Sequence, residues 1–412
     1  MAQNVSGQNF IPAAIEVEDA LSLLLESLQP QIRTVKVPVM QACGMVAAED
    51  VKAMMMVPPF SKSAMDGYAV CAADIAGASK DSPVQLTVKD ELFAGDYKEI
   101  AYEPGTAVRV MTGAYVPDGY DAVVRQEDTD YGEQQVKVYI AVKPYMNYCR
   151  TGEDIKSGQV LFHKNTRIEP VHIGLLASVG VTEVMVYEPM RVAILSTGTE
   201  LRDVGQPLAP GQIYNNISYM LAATMQRCGV KISMMETCVD EENLMFCKLK
   251  QALENADFVI TTGGVSVGKK DIVPAVLGRM GAQILFRRAN IQPGTPTTAS
   301  ECDGKLILSL SGNPYAALAN FELYFWALLA KFMHNKYFEA KVATAVLRSE
   351  YGKVNRMRRL IRAREEGGEV FLPTQVHAAS VINNLTECNC FIDLEAGRNV
   401  DIGDIVTIRY IT

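Results

Sequence analysis

The chain has 412 residues, of which 49% are hydrophobic and 21% are charged, and its formal net charge is −8. This length predicts about two to four domains, and the acidic balance argues against general nucleic-acid binding. No apolar run approaches the roughly 20 residues that cross a bilayer, and the opening residues MAQNVSGQNF lack the regions of a signal peptide. We therefore expect a cytoplasmic protein with no membrane or nucleic-acid partner. Because none of its nine cysteines forms a C-x-x-C pair, we also expect reduced thiols.

The first half of the chain changes character twice. Residues 11–28 have the apolar spacing of an amphipathic helix. Residues 51–142 alternate between short strands and turns, which indicates a β-rich insertion. Residues 143–188 contain a turn-rich stretch and then a helix that Gly180 would end. We predict a discontinuous N-terminal helical domain from residues 1–50 and 143–188, with the insertion between its two parts.

The second half predicts two further domains. Residues 189–335 alternate buried β-branched strands with segments of helix length, which favours a doubly wound α/β domain with a parallel sheet. Residues 336–412 alternate like a small C-terminal β-barrel or sandwich. The predicted fold class is thus α/β plus β, in a multi-domain chain.

Three strands of the α/β segment each run into a polar, glycine-rich turn. Their sequences are RVAILSTGTEL, DFVITTGGVSVGKKD and LILSLSGNPYA. Ligands of open α/β sheets collect at the carboxyl ends of parallel strands, where turn amides and helix N-termini attract anions. Tight packing between strand and helix is the alternative explanation for these glycines. The residues that we expect to bind substrate there are Ser196, Gly198, Gly263, Gly264, Ser266, Gly268, Gly312, Asn313 and Pro314.

Several carboxylates could act at such a pocket. Glu200 follows STGT, and Asp271 lies beyond the glycine turn, so both could offer oxygen ligands to a cation such as Mg²⁺. Capping of the following helix explains both residues equally well. Asp66, Thr112 and Asp154 lie on predicted turns, where local hydrogen bonding is the simpler explanation unless another domain converges on them.

Seven motifs follow one another along the chain: SAMDGYAV, VMTGA with DAVVRQE, GEDI, STGTEL, GGVSVG with Asp271, the Pro293-Gly294 pair and GNP. Taken in order, they resemble the motifs of the MoeA-type molybdenum insertases, which include the E domain of gephyrin, and the resemblance extends over nearly the whole chain. It implies an elongated homodimer of four-domain subunits, with an α/β domain similar to the molybdopterin adenylyltransferase fold. It also implies a reaction in which adenylylated molybdopterin and molybdate give molybdenum cofactor and AMP, with Mg²⁺ or a similar cation.

The resemblance also implies roles for individual residues. Glu200 and Asp271 would hold the metal. The family dimer would bring Asp66 and Thr112 against the α/β pocket of the other subunit, which makes the active site composite. A molybdopterin adenylyltransferase and molybdoenzymes are the implied further partners. The residues that match catalytic positions are Asp66, Thr112, Asp154, Glu200, Asp240 and Asp271, and further substrate-binding positions are Arg288, Gln292, Pro293, Gly294 and Thr295.

The chain departs from the family pattern where molybdate is expected to bind. The usual KPGKP is QPGTP here, so Gln292 and Thr295 replace two lysines, while Arg287 and Arg288 lie just upstream. An oxyanion pocket that loses two ammonium groups loses much of its attraction for a dianion. Other differences are Ser311, Tyr315 and Ala316 in SGNPYA, and Cys149 and Thr151 beside Arg150.

These departures leave two functions open. The intact carboxylates favour an active insertase whose oxyanion pocket is retuned, for molybdate or tungstate. The missing lysines favour a paralogue that binds pterin or a partner protein without inserting metal. An unrelated nucleotide-handling enzyme is disfavoured, because motifs outside the α/β segment also match. The basic stretch 341–364, with eight basic residues and one acidic residue, favours a solvated barrel face over a docking surface for an acidic partner or for AMP.

Overall fold

The computed structural model describes residues 14–265, 272–373 and 380–411. The chain divides into two compact units. The main unit comprises Met1–Val35, Gly44–Val46 and Tyr187–Thr412, and the insertion unit comprises Lys36–Cys43 and Ala47–Val186. The finer division into four domains stays a prediction. Within the described ranges, no helix combines the length and hydrophobicity that crossing a membrane requires.

The helices begin and end close to the predicted positions. The N-terminal amphipathic helix ends before Pro30, and the helix of the turn-rich segment ends before Gly180, whose φ of 73° is the left-handed conformation of a helix terminus. Short 3₁₀-helices cover Val39–Gln41, Gln126–Asp128, Lys336–Phe338 and Asn383–Glu387. The α-helices are α1 (Val17–Ser27), α2 (Pro170–Ser178), α3 (Ile217–Arg227), α4 (Glu242–Asn255), α5 (Val273–Arg279) and α6 (Pro314–Phe332).

The insertion unit is built on a five-stranded sheet with the order β7-β4-β6-β5-β8. Strand β4, which lies between β7 and β6, is fully buried, and a Cβ on its first residue, Gly67, would lie 1.9 Å from the carbonyl oxygen of Val124. This sheet confirms the β-rich insertion. The strands from Thr34 to Tyr187 are β1 (Thr34–Pro38), β2 (Val51–Lys52), β3 (Lys62–Ser63), β4 (Gly67–Val70), β5 (Val84–Leu92), β6 (Thr106–Val110), β7 (Ala122–Arg125), β8 (Gln135–Val138), β9 (Tyr148–Cys149), β10 (Val160–Phe162) and β11 (Glu183–Tyr187).

The main unit contains a six-stranded sheet and a barrel. The sheet has the order β15-β12-β16-β20-β19-β17. The strands from Arg191 onward are β12 (Arg191–Thr197), β13 (Leu201–Arg202), β14 (Ile213–Tyr214), β15 (Lys231–Cys238), β16 (Phe258–Thr262), β17 (Gln283–Phe286), β18 (Ile291–Gln292), β19 (Thr298–Cys302), β20 (Lys305–Leu310), β21 (Val342–Leu347), β22 (Arg358–Glu366), β23 (Glu369–Phe371), β24 (Cys390–Leu394) and β25 (Ile405–Tyr410).

The sheet is mixed rather than wholly parallel. Strands β15, β12, β16 and β20 run parallel, whereas β19 runs in the opposite direction and pairs antiparallel with both β20 and the edge strand β17. The reversal occurs in a two-residue turn between β19 and β20, where Asp303 and Gly304 have φ angles of 52° and 75°. An Asp-Gly pair with two positive φ angles is typical of a tight hairpin. The sequence thus contained the signal for this reversal.

Helices cover both faces of this sheet, as a doubly wound fold requires. Leu249 of α4 and Val276 of α5 share one apolar cluster with Leu195 and Val259 of the sheet. Helices α3 and α6 pack on the other face, where the rings of Phe258 and Phe325 lie 5.9 Å apart. Helix α1 packs against α6.

The C-terminal strands close into a barrel. The order is β22-β23-β21-β25-β24, and β24 also pairs with β22, which closes the ring. The two-residue strand β18 joins the outside of this barrel in parallel to β22, and it aligns Gln292 with Arg359. The barrel that the alternation predicted is therefore confirmed.

A buried ion pair fixes the amino ends of two central strands. The Arg33 guanidinium donates to both carboxylate oxygens of Asp257, at 2.8 and 2.6 Å, and the backbone amide of Arg191 donates to the same group at 2.8 Å. Burial raises the pKa of the Asp257 carboxyl, but the hydrogen bonds and charges of Arg33 and Arg191 outweigh burial, so the net pKa shift is downward.

Replacing Asp257 by Asn should lower the free energy of unfolding of the main unit by about 2 to 3 kcal/mol, because a partly buried guanidinium loses its counter-charge. Since the folded pKa is lowered, this stabilisation is present above the unfolded pKa of about 3.9 and is lost as the pH falls through the folded value. Thermal unfolding of wild type and Asp257→Asn measures the difference.

Glu188→Gln is the matched control. Glu188 also pairs with Arg33, at 3.1 Å, but its side chain is 38% exposed, so its loss should cost less than about 1 kcal/mol. Equal destabilisation by both variants at neutral pH would contradict the assigned importance of Asp257.

Candidate functional site

The turns that follow three parallel strands meet at one cavity. Strands β12, β16 and β20 are neighbours in the sheet, so their carboxyl ends lie at the same edge. The cavity there, which we call the strand-end cavity, has a volume of about 810 Å³, within the range of small-molecule sites. The predicted site residues that line it are Gly198, Glu200, Asp240, Gly263, Gly264, Gly312, Asn313 and Pro314.

Backbone contacts hold the three turns together. Gly263 has a φ of 86°, and a Cβ on it would lie 2.2 Å from the carbonyl oxygen of Thr197. A Cβ on Gly312 would lie 3.3 Å from the Cα of Gly263. Packing therefore requires glycine at Gly263, as the alternative explanation held, and Gly312 lies in close contact with it. The lack of side chains at both residues leaves the backbone facing the cavity. Ser266, Gly268 and Asp271 lie outside the described residues.

The two carboxylates of the cavity differ in their partners. Asp240 accepts hydrogen bonds from the Thr197 hydroxyl at 2.7 Å and from the Thr199 amide and hydroxyl at 3.1 Å each. These bonds fix the turn that follows β12. The Glu200 carboxylate lies over Gly198, where an added Cβ would be 2.9 Å from either oxygen. Within the described part of the chain, no hydrogen bond to that carboxylate is found. Glu200 does not cap the next helix, because Asn216 precedes α3.

Two helix N-termini open onto the strand-end cavity. Asn216 precedes α3, Asn313 precedes α6, and both residues line the cavity. Neither asparagine side chain makes a capping hydrogen bond. The first turns are partly occupied, because the Ser218 amide of α3 donates to Asn215 Oδ1 at 3.2 Å and Pro314 at the start of α6 has no amide hydrogen. The positive ends of both helix dipoles still favour an anion there.

The side chains around the cavity, in contrast, are acidic. Glu200 and Asp240 line it, and its described lining includes no lysine or arginine. An anion held by the helix amides would lie close to two carboxylates that repel it. A bound cation would remove this repulsion.

Ser196 and Asn215 form a polar layer around the cavity. The Ser196 hydroxyl is fully buried and hydrogen-bonds to Ser218 at 2.6 Å and to Thr262 at 2.7 Å. These bonds fix the end of β12, next to the turn that lines the cavity. Asn215 lines the cavity, and its amide donates to Ser218 and to Thr237, at 3.1 and 2.9 Å. The sequence analysis did not single out Asn215, which lies between β14 and α3, because a single turn asparagine carries no distinct signal for a site.

Gln292 lines a different cavity, which we call the cationic cavity. It has a volume of about 510 Å³. Arg359 donates to Gln292 Oε1 at 3.4 Å and to Asn355 Oδ1 at 3.2 Å. Asn355 is buried, and its Nδ2 has no partner within the described residues. The polar residues that line the cavity are Gln292, Lys353, Asn355, Arg356 and Arg359. The sequence analysis missed these cations because it favoured a solvated face for this stretch.

The rest of the QPGTP segment is held by backbone contacts. The Thr295 hydroxyl donates to the carbonyl of Ile291 at 2.7 Å. The carbonyls of Pro293 and Gly294 accept from Asn320, at 3.3 and 3.2 Å. Arg288 lines neither of the two cavities, and its carbonyl accepts from the amide of Ile15 at 3.0 Å.

The insertion unit brings together two of its three predicted site residues. Asp66 Oδ1 accepts from the amide and the hydroxyl of Thr112, at 2.7 Å each. The amide and then the hydroxyl of Thr112 lower the pKa of the exposed Asp66 carboxyl. Asp154 is exposed, and its amide donates to the carbonyl of Val57 at 3.0 Å. In the described part of the chain, no group of three or more His, Cys, Asp or Glu residues could hold a metal.

Two family models match the chain. The MoeA N-terminal region (domains I and II) matches residues 15–180, and a probable molybdopterin binding domain matches residues 193–331.

Curated relatives and solved structures agree with these models. A molybdopterin molybdenumtransferase from Bacillus subtilis (strain 168) is 37% identical over 88% of this chain and 86% of the relative. One from Haemophilus influenzae is 33% identical over 96% of this chain and 98% of the relative. Two structures of a molybdopterin biosynthesis MoeA protein from Pyrococcus horikoshii are 27% identical, with TM-scores of 0.88 and 0.81, and cover 97% of this chain and 100% of theirs.

Gly263→Ala should weaken anion binding in the strand-end cavity by about tenfold or more, because its methyl group would displace the Thr197 turn. Calorimetric titration with pyrophosphate and Mg²⁺ measures this. Gly281→Ala is the control, since Gly281 has a φ of 71° but open space around it, so it should lose only stability. Equal anion affinity in wild type and Gly263→Ala would contradict the role of this turn.

Proposed function

The chain belongs to the MoeA family of molybdopterin molybdenumtransferases, transferases of molybdenum cofactor biosynthesis, and we propose that it inserts molybdate into adenylylated molybdopterin with release of AMP. The observation that carries this proposal is the strand-end cavity. There two helix N-termini and a glycine turn face the same volume as Glu200 and Asp240. These are groups that bind a phosphoanhydride and a cation together.

The residues fit the implied Mg²⁺. Mg²⁺ in proteins usually keeps several waters and takes one or two carboxylates together with substrate phosphates. The Glu200 carboxylate, which has no hydrogen-bond partner within the described ranges, would be its protein ligand, and Asp271 is the second ligand that the family resemblance implies. A bound Mg²⁺ would neutralise charge that develops on the departing AMP phosphate. The carboxylate of Asp240 would act by keeping the turn that follows β12 in place.

The chain's own amides and glycines perform the remaining tasks. The first-turn amides of α3 and α6 would orient the phosphates. Backbone contact among the glycine turns keeps these donors in fixed positions, so little reorganisation is needed during the reaction.

We place the oxyanion in the cationic cavity. Lys353, Arg356 and Arg359 supply positive charge beside Gln292, where the family pattern has a lysine. The buried Asn355 Nδ2 offers a further donor. The two missing lysines therefore do not leave this region without cations, which favours an insertase over a paralogue that only binds pterin.

The dimer and the partners are further proposals. As the family resemblance implies, we propose a cytoplasmic homodimer in which Asp66 and Thr112 of one subunit act at the strand-end cavity of the other. An exposed aspartate is ionised at neutral pH, and the hydrogen bonds from Thr112 lower the pKa of Asp66 further and fix one of its oxygens, which suits a group that assists a cation or a water. An adenylyltransferase would supply the substrate, and molybdoenzymes would accept the product.

Glu200→Gln should reduce AMP release from adenylylated molybdopterin by about 100-fold, because the amide is a poor Mg²⁺ ligand. Raising the Mg²⁺ concentration should restore part of the rate. Enzyme assays across a Mg²⁺ series measure both effects.

Glu241→Gln is the matched control, because Glu241 is exposed, lies next to Asp240 and does not line the cavity. It should behave as wild type. If Glu200→Gln keeps the wild-type rate and the wild-type Mg²⁺ requirement, the proposed metal ligand is wrong.

Arg359→Gln should raise the KM for molybdate about tenfold, and Gln292→Lys should lower it, since the first removes and the second adds a cation in the same cavity. Arg348→Gln serves as the control, because Arg348 directly follows β21 of the barrel but pairs with Glu369 at 2.7 Å outside this cavity, so its KM should not change. An unchanged KM in both Arg359→Gln and Gln292→Lys would place the oxyanion elsewhere.

A further inference from the structure

Helix α6 contacts strand β22 and the turn that follows β18. Strands β18 and β22 lie in parallel register, so Gln292 and Arg359 are direct neighbours. One side chain from the first half of α6 bonds to β22, and another bonds to the turn after β18. These side chains are Tyr315 and Asn320, and neither lines the cationic cavity itself.

Tyr315 bonds to the backbone of the barrel strand β22. Its hydroxyl donates to the carbonyl of Leu360 and accepts from the backbone amide of Arg362 at 3.2 Å. These residues follow Arg359 on β22. The Arg362 guanidinium lies 4.1 Å above the Tyr315 ring, and the Phe391 ring stacks at 6.0 Å. Burial raises the pKa of Tyr315 to about 12, so its hydroxyl stays protonated at neutral pH.

Asn320 bonds to the backbone of the turn that follows β18. Its fully buried Nδ2 donates to the carbonyls of Pro293 and Gly294, which directly follow Gln292. It also donates to the carbonyl of Ala316 at 3.0 Å, which orients the amide on its own helix. A Cβ on Gly294 would lie 1.8 Å from Asn320 Nδ2, so the turn packs directly on this amide.

We propose that Tyr315 and Asn320 are positioning residues that fix Gln292 and Arg359 at the distance an oxyanion needs. The inference rests on the proposed function of the cationic cavity. Donors that recognise a tetrahedral oxyanion must be held within about 0.5 Å of their productive positions. Backbone hydrogen bonds on either side of the Gln292 and Arg359 pair, both made from one helix, meet this requirement.

The same helix extends the consequence to the first cavity. Helix α6 begins at Asn313 and Pro314, which line the strand-end cavity. Tyr315 follows these two residues directly. The helix therefore sets the position of the cationic cavity relative to the amides that would bind the pterin phosphates, and the two substrates share one rigid support.

Tyr315→Phe removes the hydroxyl and keeps the ring. Calorimetry should show a five- to tenfold weaker Kd for molybdate, as expected for about one buried hydrogen bond, and the KM for molybdate should rise equally. The rate at saturating molybdate and the Kd for adenylylated molybdopterin should stay within about twofold of wild type. Asn320→Leu, which removes the donors at similar volume, should behave in the same way.

Tyr324→Phe is the matched control on the same helix. The Tyr324 hydroxyl is buried and has no partner within the described residues, so its loss should not change molybdate binding. Wild-type molybdate affinity in both Tyr315→Phe and Asn320→Leu overturns the inference. Equal weakening of molybdate and pterin binding also overturns it, since that is general structural damage. A wild-type protein that binds molybdate but forms no product refutes the proposed function alone, and the molybdate Kd values still decide the inference.

Discussion

The parallel register of β12, β16 and β20 is the constraint on which the site depends. Parallel pairing forces the three strands to end at one edge, and the turns that follow are so close that Gly263 has no room for a Cβ beside Thr197. Helices α3 and α6 then start at this edge, and the residues that precede them, Asn216 and Asn313, line the same cavity. The strand-end cavity is therefore a direct consequence of the parallel sheet. Asp240 then fixes the turn that follows β12.

Charge is divided between two cavities of the main unit. The strand-end cavity has carboxylates and backbone amides, which suits a phosphoanhydride accompanied by a cation. The cationic cavity has Lys353, Arg356 and Arg359, which suits an oxyanion alone. Keeping the two anionic substrates in separate cavities reduces their mutual repulsion before they react. Helix α6 contributes to both sites, because its first residue lines one cavity and Tyr315 and Asn320 support the other.

Local patterns in the sequence predicted most of the fold and part of the site. Buried strands ending in glycine turns identified the strand-end cavity, because that rule depends only on parallel pairing. The sequence analysis missed the antiparallel edge, although the Asp303-Gly304 turn signalled it. It also missed Arg359 as a neighbour of Gln292. The two residues are about 70 positions apart in the chain, and their contact depends on how the barrel packs against the sheet. The Thr295 hydroxyl was expected to face the oxyanion, but it donates to the Ile291 carbonyl instead.

The most direct test of the account is an assay of the purified protein with adenylylated molybdopterin, Mg²⁺ and either molybdate or tungstate. AMP and metal-loaded cofactor are quantified in the same reaction. The account predicts that AMP release depends on the oxyanion and equals the amount of cofactor formed, with the preferred oxyanion naming the metal. Tight binding of adenylylated molybdopterin with neither product would contradict it and would leave a protein that binds the pterin without inserting metal.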